Sequence, residues 1–369
     1  MARAKHNGPA ASQARLTRWP GLIEHYRNFL PVDARTPVVT LNEGNTPLIE
    51  SAELGTRLGH DIKCYFKFEG VNPTGSFKDR GMTVAMSKAL GEGARVAICA
   101  STGNTAASAA AYAARAGVRA FVLIPRGAVA IGKLSQSVMH GAGVIEIIGN
   151  FDICLKVVRD VAESDPVAIR LVNSVNPDRI AGQKTAAFEI CDQLGDAPTH
   201  QFLPVGNAGN ITAYWAGYKE YQASGLATRL PRMMGYQAAE AAPIVFGHPI
   251  DDPHTVATAI KIGNPASWKG AVAARDESRG TIDLVTDAEI LAAYRLIAAQ
   301  GIFAEPASAA SIAGALKCAA TGGLAPGSVV VCTLTGHGLK DPDTALKNLR
   351  NTIVVEPDVG KVLKILEGV

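Results

Sequence analysis

Three times along this chain a short apolar run ends in a turn of glycine, asparagine, serine or threonine and gives way at once to a helical stretch. Residues 64–69 alternate like a strand, Asn72-Pro73-Thr74-Gly75-Ser76-Phe77 forces a turn, and 79–90 has helical spacing with no proline. Residues 95–100 run into Ser101-Thr102-Gly103-Asn104-Thr105 and an alanine-rich helix reaching about Ala116. Residues 201–205 enter Gly206-Asn207-Ala208-Gly209-Asn210, and a helix over 211–224 follows. Further strands are expected at 120–124, 144–148, 168–172, 232–237 and 328–334, with helices near 131–140, 151–163 and from Arg179 to about Leu194. A βαβα rhythm of this kind means parallel sheets covered on both faces, with ligands beyond the carboxyl ends of the strands.

The rest of the chain is punctuated less clearly. Residues 241–282 read as loop-rich, with 255–261 helical. Thr286-Asp287-Ala288-Glu289 is a capping box for a helix ending at Gly301, and Glu305-Pro306-Ala307-Ser308 is read as the cap of the next helix. Residues 353–357 and a helix over 359–366 are expected as packing or dimer elements. Residues 1–15 are small, polar and basic and are expected to be a disordered tail.

Bulk properties narrow the functional class. A chain of 369 residues suggests two domains or one large α/β unit, and its 47% apolar content can bury a sizeable core. Lys and Arg number 36 against 33 Asp and Glu, and the resulting +3 is spread without a basic stripe, so nucleic acid is not an expected partner. The six cysteines lie apart with no C-x-x-C pair, which reads as reduced thiols in a cytoplasmic protein, with neither disulfides nor a metal site. No apolar run has membrane-spanning length and the basic N-terminus lacks an apolar signal region, so no membrane association is expected.

The turns carry the chemistry. Lys78 opens a helix, where the positive end of the dipole lowers its pKa, and such an amine can attack an aldehyde. Ser101, Thr102 and Thr105 surround Gly103 at a second helix N-terminus, a place suited to a carboxylate, although one of them would suffice as a plain cap. Gly206 to Asn210 form a cup fitted to a phosphate; it is neither a Walker loop nor a G-x-G-x-x-G fingerprint. Asn173, Ser174 and Arg179, after another strand end, are candidates for a second anion, with a surface salt bridge the ordinary alternative for Arg179. Thr335, in Leu334-Thr335-Gly336-His337-Gly338-Leu339-Lys340-Asp341, places a hydroxyl at a strand end, while His337 in that glycine turn reads as a structural donor.

An aldehyde-trapping lysine, a donor for a ring oxygen, a phosphate cup and a partner for a ring nitrogen are what pyridoxal 5'-phosphate needs. In motif order and spacing the chain resembles the fold type II pyridoxal-phosphate enzymes of the tryptophan synthase beta superfamily, and within them the shorter bacterial threonine synthases, over roughly 19–355. The motifs are Asn72-Pro73-Thr74-Gly75-Ser76-Phe77-Lys78-Asp79-Arg80, the turns at 101–105 and 206–210, the segment from Asn176 to Thr185, and the turn after Leu334.

The resemblance implies an α/β fold of two doubly wound parallel-sheet domains, a large one over 16–77 and 173–369 and a small mobile one over 78–172. It implies that Lys78 carries the cofactor and moves protons, that Asn104 meets the cofactor's 3'-oxygen, and that Gly206, Asn207, Ala208, Gly209 and Asn210 hold its phosphate. Thr335 then meets the pyridine nitrogen, and its neutral hydroxyl leaves the ring a mild electron sink. Ser101, Thr102 and Thr105 would hold the substrate carboxylate, and Lys67, Asn173, Ser174, Arg179 and Lys184 its phosphate. The implied reaction turns O-phospho-L-homoserine and water into L-threonine and phosphate, in a homodimer. Too few residues precede Trp19 for a regulatory domain, so strong control by S-adenosylmethionine is not expected. The alternatives are a threonine or serine dehydratase of the same fold, a non-catalytic pyridoxal-phosphate protein, and a nucleotide-binding α/β module.

Overall fold

A computed structural model describes residues 18–127, 134–347 and 353–367. The expected N-terminal tail and the first residues of the helix near 131–140 lie outside the described residues.

Two sheets organise the chain. The larger has six strands in the order β1-β2-β10-β7-β8-β9: Leu48–Glu50, Lys63–Phe68, Val329–Leu334, His200–Pro204, Arg232–Ala238 and Thr281–Val285. The smaller has four, β5-β4-β3-β6: Gly143–Ile147, Arg119–Pro125, Val96–Ala100 and Ile169–Leu171. Every pairing is parallel except β1 with β2, so the larger sheet has one antiparallel edge. Strand β7 is buried along its whole length, as expected of a central strand covered on both faces.

Alternate residues of each strand feed opposite cores. In β10, Val330, Cys332 and Leu334 join one apolar cluster and Val331 the other; in β3, Ala97 and Cys99 are divided from Ile98 and Ala100 in the same way. Each sheet is therefore sandwiched between two helical layers, and the doubly wound α/β expectation holds.

The chain departs from its sequence-based reading in several places. The stretch 241–282 contains a ten-residue helix, Trp268–Glu277, and the start of β9; 255–261 carries only a 3-10 turn at Thr258–Ile260. The single helix expected as far as Leu194 is two, Pro177–Gln183 and Thr185–Leu194, broken at Lys184. The capping box at Thr286 forms as expected, the Thr286 side chain accepting from Glu289 N and Glu289 reaching back. Glu305 occupies an N-cap position but its side chain makes no cap.

Two glycines set the crossing that matters for the site. A Cβ on Gly81 would come within 2.6 Å of Arg179 O, and one on Gly182 would collide with Arg80 O. The helix Lys78–Gly91 therefore lies backbone to backbone against Pro177–Gln183, which carries Arg179 up to Lys78.

Candidate functional site

The turn that carries Lys78 follows the carboxyl end of β2 and meets the turn after the carboxyl end of β10. Phe77 N donates to Thr335 O at 3.0 Å and His337 N to Gly75 O at 2.9 Å, so the lysine turn is stitched to the turn after β10. Thr74 closes the same turn on Asp79, its N and Oγ1 donating to that carboxylate at 2.7 and 2.5 Å, while Ser108 Oγ adds a third bond at 2.6 Å. Burial nevertheless raises the Asp79 carboxyl to about 6.

Lys78 is partly buried, and its pKa falls to about 7. Loss of hydration is the larger cause; the Arg179 cation adds to it and Glu305 opposes it. Near neutral pH about half the molecules then present a free amine here.

Arg179 is fully buried and, among the described residues, has no salt-bridge partner, although the Asp79 carboxylate is near enough to act on its charge. Its Nη1 donates to Val172 O at 3.1 Å, while Nε and Nη2 have no hydrogen-bond partner. Burial pulls its pKa down to about 10. A guanidinium with an open edge beside a reactive lysine is a receptor for a doubly charged oxyanion.

Asn104 Nδ2 donates to Glu305 Oε2 at 2.9 Å, and Thr335 Oγ1 donates to Glu305 Oε1 at 2.8 Å. The residues assigned from sequence to two edges of one ring therefore meet on a buried glutamate that sequence reasoning took for a helix cap. Its only signal was an acidic residue ahead of Pro306, which a cap explains equally well.

In the phosphate cup, Gly206 is pressed so close to Ile260 that a Cβ would come within 2.9 Å of its Cα, while a Cβ on Gly209 would meet Ile180 and Ser267 only at ordinary contact distances of 3.6 and 3.8 Å. Ala208 adopts a left-handed φ of 62°, a strain that turns the loop into the helix Gly209–Ala223. Asn210 is buried with neither side-chain atom partnered, beside the free N–H groups of that helix's first turn. These features fit the phosphate of pyridoxal 5'-phosphate.

Several residues nominated from the sequence face elsewhere. Lys67 commits all three protons, to Thr46 O at 2.7 Å, Glu189 at 2.8 Å and Gln193 at 2.9 Å, and is fully buried. It belongs to a closed group in which Arg80 pairs with Glu69 and Glu189. Lys184 pairs with Glu220 at 2.5 Å. Asn173 completes the end of β3, exchanging two bonds with the backbone of Ala100 at 2.9 and 3.0 Å. Asn207 Oδ1 accepts from Ala266 N. Ser101 Oγ accepts from Gly103 N and Ala106 N, which is capping, and leaves only its proton for a ligand. Thr102 and Ser174 lie just beyond β3 and β6, and Thr105 in the first turn of the helix Asn104–Ala116; no side-chain hydrogen bond to another described residue directs them elsewhere. His337 Nδ1 accepts from Leu339 N and its ring stacks on Phe68, a structural role, but as an acceptor where the sequence suggested a donor.

Lys340, part of the motif after Leu334, has a role that the motif alone does not give it. Its Nζ donates to Thr74 O at 3.2 Å and Gln136 Oε1 at 2.6 Å, tying the turn after β10 to the helix Ser135–Met139. Among the described residues, no group of three or more His, Cys, Asp or Glu could hold a metal ion, and no helix is long and apolar enough to cross a membrane.

A lysine-centred site at the mouths of two doubly wound sheets defines a pyridoxal-phosphate enzyme, and residues 39–336 match the family described as pyridoxal-phosphate dependent enzyme. Solved structures agree on the fold. The chain superposes on the processed form of threonine deaminase isoform 2 from Solanum lycopersicum with a TM-score of 0.69 at 22% identity, covering 94% of this chain and 89% of that one. Maize serine racemase gives 0.67 at 20% identity, covering 88% and 92%. Sequence relatives are far nearer. A threonine synthase of Synechocystis sp. is 58% identical over 97% of this chain and 94% of its own length, and that of Mycobacterium leprae is 60% identical over 94% and 96%. The chain belongs to the threonine synthase branch of the pyridoxal-phosphate-dependent enzymes.

Proposed function

We propose that the protein acts as a threonine synthase, converting O-phospho-L-homoserine and water to L-threonine and phosphate. The observation that carries this reading is Arg179, a buried, unpaired guanidinium beside Lys78. A dehydratase acting on threonine or serine has no phosphate to give it.

Pyridoxal 5'-phosphate would be held by Lys78, by the cup from Gly206 to Asn210, and by Asn104 and Thr335; when bound, it withdraws electrons from the substrate's α-carbon. Lys78, poised near 7, accepts a proton at Cα and returns one where the chain is to be rebuilt. The N–H groups after Gly103, with Ser101, Thr102 and Thr105, receive the substrate carboxylate. Arg179 and Ser174 receive its phosphate, orienting the Cγ–O bond and stabilising the departing dianion. Water must be excluded while protons move between carbons. The small unit over 78–172 therefore closes on the large one, and Lys340 with Gln136 is the clasp. We further infer a cytoplasmic homodimer. Six free, buried cysteines support the reducing compartment, and the exposed Val359, Val362, Leu363 and Leu366 on the terminal helix support an apolar contact between copies.

The test is to incubate the purified holoenzyme with O-phospho-L-homoserine and measure phosphate and threonine together. Equal release of both is expected. Release of neither, with keto acid formed from L-threonine or L-serine, would replace this reading by the dehydratase.

A further inference from the structure

Glu305 sits at the centre of the site yet has no part in the mechanism above. Its carboxylate accepts from Asn104 and Thr335 and lies against Gly336, where a Cβ would come within 2.6 Å of its Cδ. It is 3% exposed. The hydrogen bonds around it have a fixed direction. Gly336 N can only donate, and it donates to Ser308 Oγ at 3.3 Å. Ser308 Oγ lies 3.1 Å from Thr335 Oγ1, whose own proton goes to Glu305 Oε1. Ser308 therefore donates to Thr335. With its proton directed at an ionised Glu305, Thr335 has only a lone pair left for anything else.

We propose that Glu305 shares a proton with the cofactor's ring nitrogen through the Thr335 hydroxyl, and so sets the strength of that ring as an electron sink. This rests on the reading above, in which Thr335 faces the ring nitrogen. In one state Glu305 is a carboxylate, Thr335 donates to it, and Thr335 accepts from a protonated nitrogen. In the other Glu305 is a carboxylic acid, Thr335 accepts from it, and Thr335 donates to a bare nitrogen. The two interconvert by a paired shift. The N–H bond breaks as a new Oγ1–H bond forms, and the old Oγ1–H bond breaks as Oε1–H forms. Total charge and proton count are unchanged.

The surroundings keep both states within reach. Lys78, on its helix, and Lys340, on the turn after β10, face the carboxylate and favour its ionised form. Arg179 acts on Lys78 and Asp79 acts on Lys340. Asn104 and Thr335 add hydrogen bonds to the ionised form, while complete burial favours the neutral one. A ring partnered by threonine alone would remain bare and mild. Glu305 behind that threonine gives it access to the stronger, protonated form, and loss of the charge on Lys78 shifts the balance back. Glu305 is a positioning residue, since it reaches the cofactor only through Thr335.

The experiment reads the ring directly. Wild-type protein is loaded with pyridoxal 5'-phosphate labelled with nitrogen-15 in the ring, and the nitrogen chemical shift is compared with protonated and bare reference compounds. An intermediate or protonated shift is expected; a wild-type signal at the bare value overturns the proposal with no variant required. Glu305→Gln should move the signal to the bare value, lower kcat about tenfold or more, and leave KM for the phosphorylated substrate within about twofold, because Arg179 is untouched. Glu305→Asp should restore part of the shift. A Glu305→Gln protein that binds cofactor and gives the wild-type signal also overturns the proposal. Borohydride trapping of cofactor on Lys78 and threonine release by the same wild-type sample test the underlying function separately.

Discussion

Replacing Arg179 by methionine should make the protein more stable and nearly useless. The guanidinium is fully buried and has no carboxylate within salt-bridge reach among the described residues, and burial, only partly offset by Asp79, moves its pKa from 12.5 to about 10. At about 1.36 kcal/mol per pH unit, that displacement corresponds to about 3 kcal/mol held against the ligand-free fold. For a cation whose folded pKa is depressed, the penalty is fully present at neutral pH and lifts only as pH rises through the folded value, about 10, toward the ordinary one. Methionine fills similar space without charge or unmet donors. An unfolding entropy of about 2.1 cal/mol/K per residue over 369 residues turns about 3 kcal/mol into a rise in Tm of about 4 °C.

The same substitution removes the two open donors, Nε and Nη2. Two charge-assisted hydrogen bonds of about 1.5–3 kcal/mol each imply a loss of at least about a hundredfold in kcat/KM for the phosphorylated substrate. Differential scanning calorimetry with and without inorganic phosphate examines both effects together. Wild-type Tm should climb with phosphate, by about 3–4 °C once phosphate reaches about a hundred times its Kd, while the methionine variant starts higher and does not respond. A variant that melts below wild type and still responds to phosphate would refute both the unpaired charge and its role as an anion receptor.

Cofactor uptake by apoprotein requires neutral Lys78, so its rate should fall about tenfold per pH unit below about 7, followed by stopped-flow absorbance; a midpoint in the ordinary lysine range near 10 would contradict the site's electrostatics. Between about 7 and about 10.5 the unfolded chain holds a proton that folded Lys78 has released, so this residue makes apoprotein stability rise with pH over that window. Glu189→Gln leaves Lys67 and Arg80 buried with Glu69 as their one carboxylate, and should cost about 3–5 kcal/mol, seen as a lower denaturation midpoint in urea. Gln136→Ala removes the Lys340 clasp and should leave Tm within about 1 °C while raising KM severalfold; equal protease sensitivity of wild type and variant in saturating substrate would argue against a closing small unit.

The parallel sheets were legible because their strands are short, apolar and followed by helix-starting turns, and β7, β3 and β10 all lie where that pattern places them. What escaped notice lacks the pattern. β1 is three residues long and antiparallel, and Trp268–Glu277 begins beyond a proline turn in a loop-rich stretch. The break at Lys184 has no proline or glycine at the break itself; it comes just after the close packing of Gly182 on the Arg80 carbonyl, a contact 102 residues away in sequence. Side-chain direction was the least readable property. Lys67, Lys184, Asn173 and Asn207 all have suitable chemistry at suitable strand and helix ends, but each has a partner there that local sequence does not reveal.

Those partners also explain why one basic residue among several is the proposed receptor. Lys67 and Arg80 are as buried as Arg179, and by residue type alone any of the three suits a phosphate. Two cations facing Glu69 and Glu189 balance charge for charge, and every lysine proton is used, so an incoming dianion would have to displace a carboxylate it cannot outcompete without leaving that carboxylate buried and unpaired. Among the described residues Arg179 has only a backbone carbonyl as hydrogen-bond partner, with Asp79 acting on it from a distance, and its charge also lowers the Lys78 pKa toward neutrality. A phosphate arriving there removes a repulsion as it binds and makes it easier for Lys78 to hold a proton. In the proposed function, substrate recognition and proton transfer are thus coupled through the charge of Arg179, whereas the paired group behind it ties the Lys78 helix to its neighbours.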